Sequence, residues 1–324
     1  MRSILQTTEW AEFKKTQGFE ILHLGEIFVH KRSLPLGQSF LYLPEVDTDD
    51  INPAQLEELK KITREQKSVF ARVEFLNPFS ENFHKLIRSM RFVPAFEQVQ
   101  PKWRQIVDLA GSEEEILAGM RPKGRYNIRL AERHQVRIQI SKFKVQNDPF
   151  DATQGHPEQS RMDDNEKLKI VETFYKLYNE TTRRERISGR SLEYFQNMVD
   201  KFKGSDYLEI YIATYRGEPV AAATVSFCGG VASYLYGGSS REHKEVMAPY
   251  LLHWQVMRDA KERGCKAYDL IGRSAPGKED KWSGVTRFKE QFGGKAVEVL
   301  GSYDYVNKPT WYWTFKTVEK LRGR

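Results

Sequence analysis

The segment TRFKEQFGG, Thr286 to Gly294, sets one ammonium between two aromatic rings just ahead of a glycine pair. Phe288 and Phe292 are four residues apart and share a face on a helix, with Lys289 on the flank of that stripe. Beside apolar rings a lysine works in a lowered dielectric, where its field on a developing negative charge is stronger than in water. Such a cation can stabilise the oxyanion of an acyl transfer. The competing meaning is a solvated lysine at a helix edge, and burial separates the two.

Two arginine clusters suggest a second chemistry. KGRYNIRLAERHQVR carries Lys123, then Arg125, Arg129, Arg133 and Arg137 at four-residue spacing, with Tyr126 and Ile128 pointing elsewhere. On one helix they form a basic stripe, which meets phosphates or is simply a solvated face. TTRRERISGR puts Arg183, Arg184, Arg186 and Arg190 in a turn between helices. Arginines in loops hold phosphate through paired donors. Other chemistries lack their signatures. The seven histidines form no HxxxH or HExxH, and neither a GxSxG elbow nor a Walker A loop is present. Metal hydrolysis, serine hydrolysis and nucleotide-triphosphate chemistry therefore have no support.

The elements that must position these groups belong to a chain of 324 residues, 40% hydrophobic and 29% charged, which suits two domains. Its net charge of +7 favours polyanions such as nucleic acid, nucleotides or an anionic membrane face. Cys228 and Cys265 have no paired spacing, so a reducing compartment fits. With no signal-peptide core and no apolar run of about 18 residues, the expected location is the cytoplasm.

Hairpin, helix and strand occur twice. GEIFVHKRSLPLGQSFLYLPEV, NPAQLEELKKITREQ and VFARVEF form the first set. EIYIATYRGEPVAAATVSFCGGVASYLYGG, APYLLHWQVMRDAKERG and AYDLIG form the second, with Tyr250, Trp254 and Met257 on one helix face and Gly264 as the stop. Between them, Ser112 and Glu115 make a capping box. A polar stretch, 146–166, reads as a surface loop or linker. Leu168, Val171, Phe174 and Tyr178 then recur at helical spacing, and another helix starts near Ser191. A duplicated α+β unit follows, similar to the acetyltransferase fold of the GCN5-related type. Those enzymes hold the coenzyme A pyrophosphate on a glycine-rich loop at a helix N-terminus. The matching GGSSREHKEVMAPYLLH keeps Arg241 but no G-x-G, which argues against an acetyl-CoA enzyme.

LAGMRPKGRYNIRLAERHQV, GVTRFKEQFGGKAVEVLGSYDYV, QPKWRQIVDL and TTRRERI together resemble the Fem-type (FemABX) peptidoglycan interpeptide-bridge aminoacyltransferases. The match runs over nearly the whole chain, and R-Y-N-I-R-L-A and F-K-x-x-F-G-G are its most specific parts. The resemblance implies an α+β fold of two tandem acetyltransferase-like domains, here expected at 1–138 with 308–324 and at 139–307. It also implies the short form without a coiled-coil arm. The implied reaction moves an amino acid from aminoacyl-tRNA to the stem-peptide side-chain amine of a UDP-MurNAc-pentapeptide or lipid-linked muropeptide. No cofactor is required, since the aminoacyl-tRNA is itself the donor. A monomer with room for peripheral membrane contact is the expected form.

By this resemblance Lys289 stands near the reacting ester, with Phe288 and Phe292 excluding water. Arg184 fits the arginine that binds the acceptor diphosphate, with Arg186 as its substitute. Lys14 in EWAEFKK is the matching N-terminal lysine, with Lys15 and Lys31 as rivals. Tyr126 and Tyr236 are candidates to line the cleft or to serve structurally. Asp269 and Asp304 are candidates for a general base, unless the tRNA ribose hydroxyl relays the proton. Two other functions fit the same residues: an N-acyltransferase for a protein or small-molecule amine, and a non-catalytic RNA-binding module using the basic stripe.

Overall fold

The computed structural model describes residues 2–142, 164–280 and 282–321. The chain begins with α1 (Thr8–Thr16), β1 (Glu20–Leu24), β2 (Ile27–Ser33), β3 (Ser39–Val46), α2 (Pro53–Glu65) and β4 (Phe70–Pro78). Next come α3 (Glu81–Ser89), β5 (Val93–Pro94), β6 (Trp103–Asp108), α4 (Glu113–Gly119), α5 (Pro122–Arg133) and β7 (Arg137–Lys142). The helices α6 (Asp164–Arg184) and α7 (Leu192–Lys201) precede β8 (Leu208–Tyr215), β9 (Glu218–Cys228), β10 (Val231–Ser239) and α8 (Ala248–Glu262). The chain closes with β11 (Ala267–Gly272), α9 (Ser283–Lys289), β12 (Lys295–Val306) and α10 (Pro309–Leu321).

The chain packs as two compact units. One comprises Met1–Arg104, Gly272–Trp282 and Ala296–Arg324; the other comprises Gln105–Ile271 and Ser283–Lys295. In the first, β1, β2 and β3 run antiparallel, β3 pairs parallel with β4, and β12 pairs antiparallel with β4 and β5. In the second, β7, β8, β9 and β10 are antiparallel and β10 pairs parallel with β11. A parallel pair needs a crossover of a dozen or more residues. α2 supplies it between β3 and β4, and α8 supplies it between β10 and β11. The twofold hairpin–helix–strand reading therefore holds, and the fold is α+β with two tandem acetyltransferase-like units.

Local sequence accounts for the hairpins. The β8–β9 loop is Arg216–Gly217 and the β9–β10 loop is Gly229–Gly230, and all four residues have positive φ. Left-handed residues at both central positions match the twist of the flanking strands. The capping box of Ser112 and Glu115 opens α4 as expected, and Asn52 with Gln55 makes a second one at α2.

The division between units differs from the expected boundaries. Residues 105–138 belong with the second unit, because Val107, Ile116, Met120, Ile128 and Ala131 share its core with Tyr211, Val225, Leu252 and Leu270. β12 returns to the first unit, pairing with β4, so the return begins at Ala296 rather than at 308. The basic stripe is shorter than expected: α5 ends at Arg133, and Arg137 already belongs to β7. TTRRERISGR is also less of a loop. Arg183 and Arg184 form the last turn of α6, while Arg186 and Arg190 lie in the connection to α7. The expected linker lies outside the described residues except for its last three, which begin α6.

Candidate active site

Lys289 ends α9, and its side chain is 5% exposed, which removes the helix-edge alternative. Its Nζ stands 5.9 Å from the centroid of the Tyr234 ring on β10. Aromatic side chains close around this position. His253 of α8 lies 4.7 Å from Tyr234, 5.5 Å from Phe288 and 5.0 Å from Phe292, between ring centroids. Phe288 and Phe292 meet edge to face at 5.2 Å, so their shared face is as the spacing implies. Tyr250 completes the cluster at 5.2 Å from Phe288 and 5.6 Å from Phe292.

Two neighbours of Lys289 are held neutral. Burial, and secondarily the charge of Lys289, hold the His253 imidazole down to about 3. His253 is therefore neutral at ordinary pH, with Nδ1 hydrogen-bonded to the Tyr268 hydroxyl at 2.7 Å. Burial pushes the Tyr234 hydroxyl up to about 12, so it too stays neutral.

Backbone packing fixes where Lys289 sits. Gly293 has φ 75° and ψ −149°, a region open essentially to glycine alone. A methyl on Gly293 would lie 2.4 Å from the carbonyl oxygen of Gly119, and one on Gly124 would lie 2.2 Å from that of Gln291. The Arg121 N–H donates to Gln291 O at 3.1 Å, and Arg121 pairs with Glu290 at 2.7 Å. Thus the two sequence motifs, LAGMRPKGRYN and FKEQFGG, are one structural piece.

A cavity of about 310 Å³ opens on this piece, lined by Arg121, Lys123, Tyr250, Gly284, Arg287, Phe288 and Gln291. Three of these seven residues are cationic and two are aromatic, a composition suited to a phosphate-bearing ligand with a planar group. Lys289 is not among the lining side chains; its neighbour Phe288 is.

The remaining expected residues spread over both units. Arg184 is largely committed to structure: it donates to Ser239 O at 3.0 Å and pairs with Glu185 at 3.0 Å and Glu180 at 3.8 Å. Arg186 is exposed, with φ 53°. Tyr236 shares a 2.9 Å hydroxyl contact with Tyr194 and packs against Phe195 and Tyr178, away from the Lys289 cluster. Tyr126 is 57% exposed on α5, with the Arg133 guanidinium 5.7 Å from its ring, so it shares the outward side with the basic stripe.

Lys14 belongs to the first unit. Its Nζ lies 4.2 Å from the Phe19 centroid, and its charge, after burial, helps hold His30 at about 3. Its rivals are engaged with carboxylates: Lys15 with Glu12 at 2.6 Å and Lys31 with Glu20 at 2.9 Å. Asp304 is not placed to act as a base. It is fully buried, binds Arg72 through both oxygens at 2.7 and 2.8 Å, and accepts from the Tyr312 hydroxyl. Asp269, buried on β11, accepts from the Ile271 N–H at 2.6 Å.

Sequence reasoning missed Tyr234, His253, Arg121 and Arg287. For His253 a signal exists, since Tyr250, His253 and Met257 follow the three- and four-residue spacing of the buried face of α8.

The two units have the tandem acetyltransferase-like fold, and the comparisons with known proteins give the family and the enzyme class. A family model described as the FemAB family matches residues 91–216 and 205–320. The Lipid II:glycine glycyltransferase of Staphylococcus haemolyticus (strain JCSC1435) is 21% identical over 416 aligned positions, covering 99% of this chain and 91% of that protein. The aminoacyltransferase FemB of Staphylococcus epidermidis is 33% identical over 94 residues, 28% of this chain and 22% of its own. The crystal structure of FemX shares the fold with a TM-score of 0.80 at 17% identity, covering 97% of this chain and 94% of its own. The chain belongs to the FemAB family, and its enzyme class is that of an acyl- or aminoacyltransferase.

Proposed function

We propose that the protein transfers an amino acid from aminoacyl-tRNA to the side-chain amine of a peptidoglycan stem peptide, building the interpeptide bridge of the cell wall. The observation that carries this reading is the buried Lys289 in its aromatic cluster, next in sequence to a cavity wall lined by Arg121, Lys123 and Arg287. The names of the relatives agree with it, since one acts on Lipid II and glycine and another is an aminoacyltransferase.

The chemistry needs placement more than activation. The neutral acceptor amine attacks the ester carbonyl, forming a C–N bond and an oxyanion. The ester C–O bond then breaks, and the proton lost from nitrogen ends on the ribose hydroxyl released from the tRNA. Placement contributes up to about 7–11 kcal/mol in favourable intramolecular cases. Lys289 faces the oxyanion, where a lost donor costs about 3–4 kcal/mol. In this reading the cavity cations hold phosphates of the tRNA end, with Phe288 and Tyr250 against its terminal base. Arg186 serves the acceptor diphosphate, and Arg184 with Tyr236 keeps α6 against β10; Lys14, in the first unit, is a separate candidate for binding the acceptor. Tyr126 lies on the basic face of α5, available to RNA.

The test is transfer itself: purified protein, labelled aminoacyl-tRNA, and a UDP-linked or lipid-linked muropeptide. An extended muropeptide is the expected product. Transfer to a protein or small-molecule amine in preference to the muropeptide would replace the acceptor, and tRNA binding without any transfer would leave only an RNA-binding module.

A further inference from the structure

The helix α10 belongs to the first unit, and none of its residues is given a role above. Its inward side is set by Tyr312 and Glu319, both buried, and by Phe315, which packs on Phe40, Phe70 and Phe96. Its outward side is unusual. Trp311, Trp313, Val318 and Leu321 are exposed at 37, 58, 36 and 83% within a single 13-residue helix. Lys316 and Lys320 accompany them, Lys316 with its Nζ 4.4 Å from the Trp313 ring. The only carboxylate of the helix, Glu319, is turned inward. At the start of the helix, Lys308 donates to Gln38 at 2.9 Å, which ties it to the β2–β3 turn. The tip of that turn, Leu36, is 80% exposed.

Single exposed apolar residues need no explanation, but a grouped set with lysines and no outward acid does. Tryptophan is enriched where an apolar body meets water at the headgroup level of a bilayer. Lysines beside it are drawn to anionic headgroups. A second copy of the chain fits poorly, because a twofold contact through this face would set like charges against one another. RNA would use the tryptophans and lysines, but the aliphatic Leu36, Val318 and Leu321 offer it neither stacking nor hydrogen bonds.

We propose that the outward face of α10, with Leu36, docks the protein peripherally on an anionic lipid bilayer. The proposal uses none of the residues of the Lys289 site. It rests on the proposed function only for its purpose, which would be to bring the enzyme to a lipid-linked acceptor.

The experiment is cosedimentation of the full chain with vesicles of phosphatidylglycerol and phosphatidylcholine, against phosphatidylcholine alone. Wild type should partition about tenfold more to the anionic vesicles, and less as added salt shortens the Debye length. A Trp313→Ser/Leu321→Ser variant and a Lys316→Glu/Lys320→Glu variant should each lose about tenfold in partition. Both should keep the wild-type melting temperature and the wild-type rate on a water-soluble UDP-muropeptide. Equal partition of wild type and variants, or none to anionic vesicles, overturns the proposal. So does a self-association or a tRNA affinity that these substitutions abolish while vesicle binding is absent. Failure of transfer to the soluble acceptor would instead count against the proposed function and leave the vesicle result standing.

Discussion

Gly124 of α5 and Gln291 meet backbone to backbone: a methyl on Gly124 would fall 2.2 Å from the Gln291 carbonyl oxygen. No rotamer change relieves such a contact, because the obstacle is main chain. Gly124→Ala should therefore separate α5 from the turn that carries Lys289. A destabilisation of about 1–3 kcal/mol is expected, as for other overpacked sites. Gly119→Ala is the control within the same motif, since nothing lies within 4 Å of its added methyl. Thermal melts of the two variants check this; equal melting temperatures would show that the contact relaxes without cost.

This contact also explains what was legible in the sequence and what was not. The two motifs were visible as strings, and the duplicated hairpin–helix–strand was visible as periodicity and turn residues. Their joining through Gly119, Gly124, Gln291 and Gly293 was not, because backbone contacts leave no side-chain pattern. The burial of Lys289 depends on Tyr234 and His253, which lie on other elements far away in the chain. Helix spacing within TRFKEQF alone therefore leaves both burial and a solvated edge open. The division between the units is hard to read from sequence for a related reason. The helix α5 reads as basic and outward, while its core residues, Ile128 and Ala131, are few and small in number beside its charges.

Lys289→Met keeps much of the side-chain shape and removes the charge. If the ammonium faces the oxyanion, kcat and kcat/KM should fall together by about 10²–10³-fold, with little change in KM. Steady-state kinetics with aminoacyl-tRNA and muropeptide measure this, and far-UV circular dichroism verifies the fold. A normal kcat would remove Lys289 from the reaction.

His253 makes the protein sensitive to acid. Its folded value of about 3 lies below the ordinary 6.5, so between those values the unfolded chain binds the proton that the folded chain refuses. Stability is complete above about pH 6.5 and falls as the pH drops toward 3. At 1.36 kcal/mol per pH unit the full loss is on the order of 5 kcal/mol. His30, held at about 3 by burial and then by Lys14, adds to the same decline. Urea unfolding at a series of pH values should show a shallower slope between about pH 5 and 6.5 for His253→Gln than for wild type. An unchanged slope would mean that His253 takes up its proton in the folded state.

The two arginines at the end of α6 should separate cleanly. Arg184 bonds Ser239 O across to β10, so Arg184→Ala should lower the melting temperature. Arg186 is exposed and left-handed at φ 53°, a conformation that glycine adopts freely. Arg186→Gly should leave the melting temperature unchanged or raise it. If Arg186 binds the acceptor diphosphate, the muropeptide KM should rise about tenfold, in line with loss of one charge-assisted contact. An unchanged KM would assign that role elsewhere.

The cavity cations give the last test. Arg121 is already paired with Glu290, which leaves Lys123 and Arg287 as the lining cations best placed to answer to a phosphate. Each phosphate contact contributes nearly one unit to the slope of log affinity against log salt. Lys123→Ala and Arg287→Ala should therefore each weaken aminoacyl-tRNA binding and flatten that slope by about one. Neither should alter the muropeptide KM, because the acceptor is assigned to other residues. Filter binding of tRNA across a salt series measures both quantities. A slope identical to wild type in both variants would mean that the tRNA phosphates lie outside this cavity.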